Sequence, residues 1–60
     1  MEKQEMLKEL YMRLTVAVST NRDFAIAIKS QADKDNCTIA EAIYNMANGA
    51  VNFFFESNQQ

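Results

Sequence analysis

Cys37 is the only thiol in this chain, and no histidine accompanies it. A nucleophile needs a base within hydrogen-bond reach, and no such pair can be assembled from these residues. Zinc likewise lacks its usual ligands. Asp33-x-Asp35 has the opening of a calcium loop, but Cys37 falls at the third ligand position and Thr38 where the loop requires glycine, so that reading is rejected. Cys37 itself is expected to be a small, semi-buried residue, with the nearby start of a helix able to lower its pKa. Neither catalysis, a metal nor a cofactor is expected.

The remaining chemistry lies in Arg13-Leu-Thr-Val-Ala-Val-Ser19, where small polar and apolar side chains alternate. On an extended strand, Arg13, Thr15, Ala17 and Ser19 share one face and Leu14, Val16 and Val18 the other. An arginine can bond guanine bidentately, hydroxyls can donate or accept, and an alanine methyl can touch thymine. Valine and threonine also suit a pleated surface. A lone strand leaves its backbone groups unpaired, so the expected partner is the same strand of a second copy.

Composition bounds the elements that must position these residues. Sixty residues make a single domain that buries only about 60% of its unfolded surface when it folds alone, which favours association. Nearly half the residues are apolar, proline is absent and Gly49 is the only glycine, as expected of a folded, mostly helical chain. A single cysteine allows no internal disulfide, and no apolar run approaches a membrane span or a signal-peptide core. A cytoplasmic location is expected, where the Asn36-Cys37-Thr38 sequon has no meaning. Eight acidic against six basic residues give a net charge of −2, which counts against phosphate binding unless the positive groups are favourably placed.

Residues 1–12 read as an N-terminal arm with helical spacing of Met6, Leu7, Leu10 and Tyr11, either a short helix or frayed. Residues 13–56 form the main domain and 57–60 a polar tail. After the alternating stretch, Thr20 and Asp23 offer a capping-type helix start, and Phe24, Ile28 and Ala32 follow on one face. Asp35-Asn36 reads as the helix end, because asparagine tolerates the left-handed conformation. Thr38 then caps a second helix, with Glu41 completing a capping box. Along it Ile39, Ile43, Met46, Ala50 and Phe53 form a continuous apolar stripe.

This order of strand, helix, Asn36-x-Thr38 corner and Ile43-Tyr44 in the second helix resembles the ribbon-helix-helix (MetJ/Arc-type) repressor family over residues 14–51 without a gap. The resemblance implies a mainly α fold with one short β-strand per chain. It further implies an intertwined homodimer with an intermolecular two-stranded antiparallel ribbon. The ribbon would enter the major groove of double-stranded DNA with Thr15, Ala17 and Ser19 facing the bases and Arg13 at its edge. Backbone N–H groups of Thr38 and Ile39 would hold a phosphate. Leu14, Val16, Val18, Phe24, Ile28, Ile43 and Met46 would form the dimer core. The function implied is a small DNA-binding transcriptional regulator.

Three other readings stand beside it. The acidic surface and Phe53, Phe54 and Phe55, which span more than one helix face, suit a phage- or plasmid-type inhibitor that captures another protein. Alternatively, Leu7, Leu10, Leu14, Ala17, Asn21, Phe24 and Ile28 keep a seven-residue repeat. That repeat would make residues 2–34 one long helix in a hairpin, dimerising like the small RNA-binding plasmid regulators. A β-hairpin between residues 13–18 and 24–28 ranks last.

Overall fold

Lys3–Thr20 forms a single α-helix, α1, in the computed structural model, which describes residues 2–58. Met6, Leu7, Leu10, Tyr11, Leu14, Ala17 and Val18 form its half-buried apolar seam, while Met12 and Val16 are exposed. No residue of α1 is fully buried. The expected strand at residues 13–19 is therefore the second half of a helix, and no strand occurs among the described residues. The antiparallel ribbon, and the ribbon-helix-helix architecture built on it, are overturned by the same observation.

The physical reason is visible in two sets of contacts. Thr15 Oγ1 donates to the Tyr11 carbonyl at 2.8 Å, Ser19 Oγ to Thr15 at 3.1 Å and Thr20 Oγ1 to Val16 at 3.0 Å. Residues of mediocre helix propensity thus place their hydroxyls on the carbonyl one turn back. Leu14 and Val18, four residues apart, also pack on the core together, whereas Val16 between them is 60% exposed. A helix satisfies its backbone internally, and tertiary cover for one face outweighs the local strand preference.

Arg22–Asp35 forms α2. Its cap is Asn21, one residue past the expected Thr20, and this residue also breaks the continuous helix that the seven-residue repeat allowed over residues 2–34. Asp23 sits in the first turn and Lys34 in the last, each favourable to the helix dipole. The end is as expected: Asn36 takes a left-handed conformation (φ 56°, ψ 46°). The Cys37 N–H then donates to Ala32 at 2.9 Å, which satisfies a terminal carbonyl in the Schellman manner.

The third helix, α3, runs over Ile39–Asn58. Thr38 Oγ1 accepts from the Glu41 N–H at 3.1 Å and Glu41 Oε1 accepts from the Thr38 N–H at 3.3 Å, the expected capping box. The arm-to-domain boundary at residue 12/13 falls inside α1, and α3 continues into the expected polar tail as far as Asn58.

Ile28, Ala32, Ala42 and Ile43 form the buried cluster, with Tyr11, Leu14, Val18, Phe24 and Cys37 packed around it. Ala47 and Val51 continue the buried line along α3, and Val51 shares a groove with Met6 and Leu10 of α1. Of the residues expected at a dimer core, Ile28 and Ile43 are buried within one chain. Leu14, Val18 and Phe24 are half-buried, and Val16 and Met46 are exposed. Alanines at half of the buried positions let the helices approach closely, yet the core is thin. The radius of gyration is 12.3 Å, with extents of 35 × 22 × 15 Å, against about 10 Å expected for 60 residues.

Candidate functional site: an apolar face on α1 and α3

The α3 sequence is apolar around more of its circumference than two neighbours can cover. Ile43, Ala47 and Val51, at four-residue steps, point into the protein and are buried. The expected apolar stripe is split. Ile43 is inside, but Ile39 and Met46 are each 41% exposed, Phe53 is 73% exposed, and Ala50 is exposed as well. The buried cluster shared with α2 includes Ala42 and Ile43 of α3, and farther along α3 the Ala50, Val51 and Phe54 surface faces α1. A 14-residue helix that ends in a tight corner cannot cover a 20-residue one.

Beside this stripe lies a groove of about 380 Å³ between α1 and α3. Its walls are Met6 and Leu10 from α1 and Ala50, Val51 and Phe54 from α3, with Glu9 and Arg13 at the α1 rim. Arg13 Nη2 donates to Glu9 Oε1 at 2.8 Å across one helical turn. Phe54 meets Phe55 edge-on, with centroids 5.7 Å apart and rings inclined at 76°. Of the three phenylalanines, Phe55 is half-buried while Phe53 and Phe54 are exposed. Met12 and Val16, also exposed, share a surface of α1 with Glu9 and Arg13.

Gly49 sits in the middle of α3 with an ordinary helical backbone, and a Cβ built there meets nothing within 4 Å. Glycine weakens a helix interior by roughly 0.5–1 kcal/mol relative to alanine. Nothing inside the chain requires it.

The residues expected to read DNA are not brought together. On a helix, successive residues turn by about 100°, so Arg13, Thr15, Ala17 and Ser19 no longer share a face. Ala17 is half-buried on the seam, the Thr15 and Ser19 hydroxyls are spent on backbone carbonyls, and Arg13 is paired with Glu9. At the start of α3 the Thr38 amide already donates to a carboxylate, which places negative charge where a phosphate would sit. The Cys37 thiol is pushed up, first by partial burial and then by the Glu41 and Asp35 carboxylates, opposite to the shift expected from a helix start alone. Asp33 and Asp35 lie on a helix, bonded to Lys29 and Gln31.

Among the described residues no cluster could hold a metal ion, and no helix is long and apolar enough to cross a membrane. The apolar stripe on α3 was legible as a pattern. Which part of it faces outward was not, because that depends on the side of α3 against which α1 and α2 pack. Comparison with protein-family models, curated proteins and solved structures finds no match to this chain.

Proposed function

We propose that this chain is a non-catalytic protein-interaction module that docks a polypeptide on the face formed by the α1–α3 groove and the outward stripe of α3. One observation carries the reading. Met46, Phe53 and Phe54 are all exposed on one helix, next to a groove walled almost wholly by apolar side chains. An exposed apolar surface rimmed by charged groups is the usual anatomy of a protein interface. The Glu9–Arg13 pair supplies such a rim. A helix with i, i+3, i+4 apolar anchors has the shape that a groove between two helices accepts.

The residue inventory favours this role over catalysis, since histidine is absent and burial, with the Glu41 and Asp35 carboxylates, pushes the one thiol up, away from the reactive thiolate. It also favours a protein over a nucleic acid as the target. The six cations are distributed over α1 and α2, and α3 carries only Glu41 and Glu56.

A photoreactive phenylalanine analogue at position 54, irradiated in the cells that make the protein, tests the reading. Polypeptide adducts that disappear when Phe53→Glu is added are expected. Absence of such adducts, together with a salt-dependent gel shift of duplex DNA or RNA, would overturn it.

A further inference from the structure

We infer that the occupant of this face is a second copy of the same chain, packed antiparallel through α3 with Gly49 and Ala50 at the crossing point. The inference rests on the interaction reading above and names the partner. Three observations carry it.

The first is uncovered apolar surface: Ile39, Met46, Phe53 and Phe54 of α3 are each at least 41% exposed, the kind of patch that marks an interface. The second is Gly49. The only glycine of the chain lies mid-helix on the exposed stripe, with open space around it, and a helix keeps such a residue where another backbone comes close.

The third is self-complementarity. Met46 and Phe53 are placed symmetrically about the Gly49–Ala50 step, three to four residues to either side. When two α3 helices cross antiparallel at that step, small residues meet at the centre and Met46 of each copy meets Phe53 of the other. Thioether sulfur on an aromatic ring is a favourable contact, and residue i meeting j while j meets i is the mark of a two-fold interface. Between Glu41 and Glu56 the helix carries no charged residue, so two copies meet along the stripe without like-charge repulsion, and the antiparallel sense is the one that sets Met46 against Phe53 rather than like against like.

The test is the molar mass of the full chain by sedimentation equilibrium from about 10 μM to 1 mM. A reversible rise from 6.9 kDa to twice that mass is expected. Met46→Glu and Phe53→Glu should each weaken the dimer at least 100-fold with helical circular dichroism retained. Gly49→Gln, whose Cβ meets nothing within 4 Å in the monomer, should weaken it at least 10-fold. Ile26→Glu, equally exposed but on α2, should leave it unchanged. In a Cys37→Ser background, Ala50→Cys should cross-link readily on oxidation and Phe53→Cys should not, because the two Phe53 positions lie about 10 Å apart along the axis.

A monomer at every concentration, or a dimer indifferent to positions 46, 49 and 53, overturns the inference. A monomer that still gives foreign polypeptide adducts at position 54 overturns the second copy alone. Loss of both results overturns the interaction reading with it.

Discussion

The side chain of Asn21 accepts a hydrogen bond from the Phe24 amide at 3.0 Å, while the Asn21 N–H donates to Ala17 at 2.8 Å. One residue in extended conformation (φ −122°, ψ 109°) thus ends α1 and begins α2. Without it the seven-residue repeat would run on. Asn21→Ala removes the cap and should cost about 1 kcal/mol, measured as a lowered urea midpoint with unchanged slope.

Position 16 separates a helix from a ribbon in one experiment. Val16 points outward on α1, so Val16→Lys should change stability by less than about 0.5 kcal/mol. Leu14→Lys, two residues earlier but on the packed seam, should destabilise the fold severely. Equal damage from both substitutions, read by thermal melts, would restore an extended segment with Leu14 and Val16 on one side.

The core is small enough for single truncations to decide folding. Ile28 is 1% exposed and central to the buried cluster. Ile28→Ala should cost about 2–5 kcal/mol, a large part of the stability available to a domain of this size. Circular dichroism at 25 °C is expected to show loss of cooperative unfolding.

Ala47 is fully buried, so Ala47→Leu should overpack the interior by about 1–3 kcal/mol. Ala50→Leu on the exposed stripe should leave the thermal midpoint of the monomer nearly unchanged. A reversed order would mean that α3 presents its other face to the protein.

Cys37 supplies the pH dependence. Its folded-state pKa is raised by burial and by Glu41 and Asp35, so the thiol stays neutral in the fold at a pH where the unfolded chain has begun to ionise. The stabilisation is complete below the unfolded thiol pKa of about 8.5 and is lost as pH rises through the folded value. Alkylation by iodoacetamide at pH 8 should be slower in the folded chain than in urea, and Cys37→Ala should flatten the alkaline limb of the stability profile.

Local signals determined the parts of this fold that depend on neighbouring residues. The Asn36 corner, the Thr38–Glu41 capping box and the face of Phe24, Ile28 and Ala32 were legible because each is closed within a few residues by backbone geometry or a side-chain hydrogen bond. The stretch from Arg13 to Ser19 was not, because Leu14 and Val18 belong to two patterns at once. They alternate with Val16 as on a strand, and they also continue the spacing of Leu7 and Leu10 as on a helix. Only the presence of Ile43, Ala47 and Val51 across the way, able to cover one helical face, decides between them. The same holds for the candidate site. The apolar residues of α3 were evident, but which of them turn outward follows from the side of α3 on which α1 and α2 pack, a relation between elements that no local spacing contains.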